Sequence, residues 1–192
     1  MIMEIYDITQ EVFSSEVYPG DPAPSFHRPW EISKGNLYNL TVFRMCAHNG
    51  THVDAPFHFY EKGKTIDTLD LNKCIGKCTV AEFTHQPDIH EMKNVLDKSE
   101  KKLLIKGNVV VTLELAKLMN EYGIELIGVE SQSVGPVEAP KAVHLELLGK
   151  EVVLLEGIRL GQVPEGNYLL FAAPIKLGGS DGAPCRAVLI KM

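Results

Sequence analysis

Apolar residues fall in short runs along this chain, and their spacing changes from segment to segment. Residues 3–9 (MEIYDIT) partly alternate apolar and polar side chains, which predicts an opening strand. Residues 18–29 (YPGDPAPSFHRP) carry four prolines in twelve positions and predict a loop without regular structure. Residues 38–47 (YNLTVFRMCA) are rich in β-formers and predict a strand. Further strands are expected over 78–83, 102–106 (KLLIK), 125–130 (ELIGVE), 151–156 (EVVLLE), 167–173 (NYLLFAA) and 187–191. Three segments carry helix signals instead. Asp88 is placed to cap a short helix over 89–96. Thr112 is placed to cap another over 113–122, with Leu115, Leu118 and Met119 as its apolar stripe and Gly123 as its stop. A third is expected over 140–148, ending at Gly149. This mixture predicts an α/β or α+β domain with a mainly β core.

Composition narrows the picture. At 192 residues the chain fits one domain spanning 1–192, and 45% apolar with 23% charged residues is ordinary for a globular protein. The net charge of −6 (19 basic against 25 acidic residues) comes with no long basic run, which argues against a nucleic-acid or anionic-membrane binder. No apolar run approaches the roughly 20 residues of a membrane helix. The N-terminal MIMEIYDITQ has no basic stretch, so no signal peptide is read and a cytoplasmic protein is expected. Cys46, Cys74, Cys78 and Cys185 do not form two neighbouring pairs. They are read as reduced, mostly buried thiols rather than a zinc knuckle.

Candidate chemistry concentrates in residues 47–59, AHNGTHVDAPFHF, which hold three of the seven histidines. His48 and His52 are four apart, but Gly50 and Pro56 disfavour a helix. A turn entering a strand fits better. His52 and Asp54 then face one way, and a turn at Asn49–Gly50 folds His48 back toward them. Two imidazoles and a carboxylate suit zinc, manganese or iron. His58 reads either as a further ligand or as a proton shuttle. Glu156 closes an apolar run, where burial is costly unless it is paired or coordinated. His144 lies on the helix just before it. For both, a ligand and a solvated side chain stand as equal readings. Glu130 has the same strand-end character and reads as a ligand-orienting group or a solvated one. Thr51 reads as a hydrogen-bond partner of the site or a turn former, Asp181 as a site-lining acid or part of a structural turn, and Trp30 as a pocket wall or a core residue, with core preferred.

HNGTHVDAPFHF closely resembles the signature of the metal-dependent cyclase family, which includes bacterial kynurenine formamidase and isatin hydrolase. His48, Gly50, Thr51, His52, Asp54, Pro56 and His58 all match the family pattern. YPGDP, LLIKG, LIGVE, the pair His144 and Glu156, and DGAPCRAVL extend the resemblance over nearly the whole chain. It implies a swivelling β/β/α fold and homodimers or homotetramers. It also implies one or two divalent metal ions, zinc ahead of manganese. His48, His52 and Asp54 are the implied ligands of one ion; Asp54, His144 and Glu156 are those of a second, with His58 as the general acid–base. The implied activity is hydrolysis of a small amide, with a metal-activated water attacking the carbonyl; a lyase, dehydratase or cyclase on the same site, or a non-catalytic metabolite binder, are the rivals. Two stretches depart from the pattern. Residues 130–133 read ESQS where family members often have an Asp-Thr-Pro-Ser-like run. The connection over 106–112 lacks a longer, tryptophan-containing segment. Both are expected near the substrate pocket, where they bear on specificity.

Overall fold

In the computed structural model, residues 3–191 are described. Eleven strands and four α-helices are present among them: β1 (Glu4–Asp7), β2 (Ser25–Trp30), β3 (Leu40–Arg44), β4 (His52–Asp54), α1 (Leu71–Cys74), β5 (Ile75–Glu82), α2 (Ile89–Leu96), β6 (Lys102–Lys106), α3 (Leu113–Glu121), β7 (Leu126–Val129), α4 (Lys141–Leu148), β8 (Val153–Glu156), β9 (Gly166–Phe171), β10 (Gly182–Pro184) and β11 (Val188–Lys191). Nine strands form one sheet in the order β1-β11-β9-β5-β6-β7-β8-β4-β10. Its centre, β5-β6-β7-β8, is parallel, and α2, α3 and α4 make the successive crossovers. The flanking pairs are antiparallel. This is the mixed α/β architecture with a mainly β core that the sequence predicts.

Both faces of the central sheet are covered, which explains the uninterrupted apolar runs. On one face Leu103, Ile105, Ile127 and Leu154 pack under the helices against Met92, Leu115, Met119 and Leu147. On the other, Leu104, Leu126, Val153 and Leu155 pack against Val53, Cys78, Tyr168 and Leu189 inside the curl of the sheet. Adjacent residues of one strand thus serve opposite cores. Each fully buried aliphatic side chain contributes about 1.5–3 kcal/mol. The helix ends form as the local sequence dictates. Asp88 accepts from Glu91 N while the Glu91 carboxylate accepts from Asp88 N, and Thr112 caps α3 through Leu115 N.

Two expectations are corrected. Residues 25–30 of the proline-rich segment are a strand, β2, paired with β3 in a separate two-stranded ribbon. Pro29 is accommodated because the register breaks between His27 and Trp30 and neither strand has a second neighbour. Trp30 is not in the core: it lies exposed on this ribbon, edge-on to Tyr38. Strand β10 and the short helix α1 carry no periodicity long enough to announce them. No helix among the described residues is long and apolar enough to cross a membrane.

Candidate metal centre

The site grows from the register of β4. This strand lies between β8 and β10, with His52 opposite Glu156 and Asp54 opposite Gly182. His52 and Asp54 share one face of the strand, and Glu156 reaches the same face from β8. All three are buried. Helix α4 adds His144, also buried, and Phe59 stacks on its ring with centroids 4.5 Å apart. The turn before β4 returns His48: Asn49 Oδ1 accepts from Cys46 N, and Gly50 takes a positive φ of 68° that glycine adopts without strain. His48 then rests on β10, where a Cβ on Gly182 would stand 2.7 Å from its Cε1. The structure brings His48, His52, Asp54, His144 and Glu156 together, and places His58 beside them with its ring 4.2 Å from that of His48.

The hydrogen bonds of the imidazoles fix which nitrogens face the centre. His52 Nδ1 donates to Gly50 O at 3.0 Å, and His144 Nδ1 donates to Pro140 O at 2.9 Å. A carbonyl only accepts, so in each neutral ring Nε2 carries the lone pair. His52 Nε2 stands 3.4 Å from both Asp54 Oδ1 and Glu156 Oε2. His144 Nε2 stands 3.5 Å from Glu156 Oε1 and 3.8 Å from Asp54 Oδ2. His52 Nε2 and Asp54 Oδ2 are buried without any hydrogen-bond partner. Buried polar atoms left in this way are costly unless something else satisfies them. The spacing identifies what fits. Ligand atoms about 2.1 Å from one tetrahedral cation stand about 3.4 Å apart. Donors aimed inward at that spacing, nitrogen and oxygen together, fit a divalent cation, and two groups that share Asp54 offer such donors: His48, His52 and Asp54, and Asp54, His144 and Glu156.

The electrostatics say the same. Burial opposes charge on His48, but hydrogen bonds to Asp181 and Asp54 outweigh it and raise its pKa to about 11. Burial likewise opposes charge on His52 and His144, and the carboxylates, Glu156 foremost, raise both. Burial pushes Asp54 up, yet its hydrogen bond with His48 and the neighbouring imidazoles hold it far below the usual carboxylate range. For Glu156, burial and the Asp54 charge push up, and His144 and His52 bring it below its ordinary value. The pocket is built to hold positive charge against two buried carboxylates.

One residue gains a definite place. Asp181 Oδ2 accepts from His48 Nε2 at 2.9 Å and from His58 Nδ1 at 3.1 Å, so this loop acid lines the site. Only its sequence neighbourhood, GGSDGAP, hints at it. Thr51 braces the strand instead of touching the cavity: it donates to Gly157 O and accepts from Gln10 N. Glu130, half-buried, accepts from Gly107 N and Leu160 N, a strut between loops with no hydrogen bond to a candidate ligand. The cavity itself, about 160 Å³, is bounded by His48, His52, His58, His144 and Glu156, with Tyr18, Phe59, Gln132 and Ser133 around them. Gln132 and Ser133, from the departing ESQS stretch, thus do lie at the pocket, and their side-chain polar atoms have no partner. The short connection lies close by, with Val111 N donating to Val134 O.

A curled α/β sheet that closes a buried His/carboxylate metal centre against a loop-lined cavity defines the class of this protein. Comparison with known proteins makes it specific. The model of the cyclase family, described as "putative cyclase", matches residues 6–113, more than half of the chain. The chain belongs to this family. It is 34% identical to kynurenine formamidase of Geobacillus thermodenitrificans, over 92% of this chain and 91% of that one. It is 31% identical to a kynurenine formamidase of Bacillus cereus, over 97% of both. Among solved structures, one described as a potential metal-dependent hydrolase with cyclase activity superposes with a TM-score of 0.85 at 28% identity, covering 100% of this chain and 99% of that one. An isatin hydrolase bound to the product analogue thioisatinate gives 0.82 at 19% identity over 98% and 92%, a likeness of fold.

Proposed function

We propose that this chain is a divalent-metal-dependent hydrolase of small amides, of the arylformamidase kind, with zinc ahead of manganese as its ion. The observation that carries this reading is the pair of imidazoles, His52 and His144, each pinned through Nδ1 so that Nε2 faces Asp54 and Glu156. That arrangement is the one by which outer hydrogen bonds orient metal-binding histidines. The kynurenine formamidases that align over more than nine tenths of the chain support the reaction class. His48, His52 and Asp54 would hold one ion, and Asp54, His144 and Glu156 would hold a second where two bind. Bound there, a divalent ion polarises a carbonyl and makes a water acidic near neutral pH.

The remaining work belongs to side chains of the cavity. Asp181 keeps the proton of His58 on Nδ1, which leaves Nε2 to take a proton from the attacking water and return it to the departing nitrogen. Tyr18 and Phe59 give the cavity aromatic walls suited to an aryl group. Gln132 and Ser133 offer it unspent hydrogen-bonding groups.

The test is hydrolysis of N-formylkynurenine, isatin and simple aryl formamides, followed by product mass. Metal-loaded protein is expected to add one water to an amide substrate. His58→Ala is expected to keep its metal and lose roughly 10²–10⁴-fold in kcat. Full activity in His58→Ala, or a product without the added water, would count against the proposal.

A further inference from the structure

The stretch YPGDP takes no part in the proposed reaction, yet it has a defined place at the cavity. Residues 18–21 form a tight turn in which Asp21 N donates to Tyr18 O at 3.0 Å. Pro19 presets the first bend, and Gly20 supplies a positive φ of 98° at the second. The two corner residues, Tyr18 and Asp21, both bound the cavity. The Tyr18 hydroxyl donates to Val137 O at 2.9 Å. Burial, then the nearby charges of Glu156 and Asp21, raise the pKa of its phenol.

The charge of Asp21 is unmatched. Its half-buried carboxylate meets Cys46 Sγ at 3.7 Å, a weak donor. Of the two acids that bound the cavity, Glu156 faces His52 and His144, whereas Asp21 belongs to none of the groups that could hold an ion. Among the described residues no lysine or arginine bounds the cavity. A second group waits there for a partner: Ser133, 5% exposed, has an Oγ without any hydrogen bond.

We infer that Asp21 is a specificity-determining residue that binds a protonated amine of the substrate, so that the preferred substrate is a small aryl amide carrying a primary ammonium and no carboxylate. An ammonium gains a charge-assisted hydrogen bond at Asp21, while a carboxylate finds no basic side chain and meets like charge. Size limits the rest. A cavity of about 150 Å³ accepts one benzene ring. The cavity here, about 160 Å³, therefore suits one ring with short substituents, held by Tyr18 and Phe59 with its amide toward the metal groups. Ser133 Oγ supplies a further acceptor for an N–H of the substrate. This inference names the substrate of the proposed hydrolase and rests on that reading.

The experiment compares three formanilides with the metal-loaded full chain. They differ only at the end of a short ortho side chain: a primary ammonium, a methyl group or a carboxylate. The ammonium compound is expected to exceed the methyl compound about 10–100-fold in kcat/KM, with the carboxylate lowest. Asp21→Asn keeps the side-chain volume and still accepts from Cys46; it is expected to bring the ammonium-to-methyl ratio down to about one. A native ratio near one, or a ratio that Asp21→Asn leaves intact, overturns the inference. If the variant does not fold, the native ranking of the three compounds decides alone. Hydrolysis of none of them counts against the amide-hydrolase reading, and calorimetric binding of the same compounds then decides the role of Asp21. The ammonium compound is expected to bind about 10–100-fold more tightly than the methyl compound, and equal or absent binding overturns the inference.

Discussion

Glu156→Gln tests the centre without disturbing its packing. The side chain keeps its volume, and an amide oxygen still accepts from Val134 N, which donates to Glu156 Oε1 at 2.7 Å. What changes is the charge facing His52 Nε2 and His144 Nε2 at 3.4 and 3.5 Å. Altering an outer partner of a metal ligand costs about 10–100-fold in affinity, so loss of a charged inward-facing carboxylate is expected to cost at least about 100-fold. At a metal concentration 100 times the native Kd, binding stabilises the native protein by about 2.7 kcal/mol. For a chain of 192 residues each kcal/mol moves Tm by about 2–4 °C, so the metal raises it by about 5–11 °C. A 100-fold weaker variant gains about 0.4 kcal/mol at the same concentration, a rise of about 1 °C. The assay is a thermal melt of chelator-stripped protein with and without added zinc or manganese. A variant that keeps the whole metal-induced rise would refute the assignment of Glu156 as a ligand.

Further predictions follow from the same geometry. In metal-free protein His48 has a folded pKa raised to about 11, so its contribution to stability is complete below about pH 6.5, declines above that, and is gone beyond about pH 11. Metal-free melts are therefore expected to fall more steeply with rising pH than those of His48→Gln, and equal slopes would contradict this. Gly182→Ala forces a methyl group to 2.7 Å from His48 Cε1 and is expected to cost about 1–3 kcal/mol in denaturant unfolding and to lower metal occupancy; a neutral substitution would show that His48 does not rest there. Burial pushes the thiols of Cys74, Cys78 and Cys185 up to about 11, 12 and 12. A thiol reagent at pH 8 is therefore expected to label Cys46 rapidly and the other three only on unfolding, and two or more fast thiols would count against this core.

The elements that the sequence announces are those whose cause is local. Asp88 with Glu91, and Thr112 ahead of an apolar stripe, specify helix starts within one turn, and the structure forms both. KLLIK is legible because a strand buried on two faces must be apolar at every inner position. Strand β2 is hidden by Pro24 and Pro29, since prolines argue against a strand unless it is known to lie in an isolated ribbon with a register break. Trp30 reads as core from the sequence because a large aromatic is expected inside, and its exposure follows from its place on the two-stranded ribbon, apart from the main sheet.

The site divides along the same line. His52 and Asp54 follow from the period of a strand, and the return of His48 from the glycine turn between them. The convergence of His144 and Glu156 does not. It depends on β8 lying beside β4, two strands separated by about a hundred residues, and in the sequence only the family resemblance draws them together. Asp181 is the clearest case. It enters through the loop before β10, and no spacing in the sequence links it to His48 or His58.

The most direct test of the account is anomalous diffraction at the zinc edge from crystals of the full chain grown with zinc. The account predicts one or two ions in the cavity, coordinated by His48, His52 and Asp54 and by Asp54, His144 and Glu156, with His58 and Asp181 beside them. A cavity without an ion at saturating zinc, or ions bound only by surface groups, would contradict it.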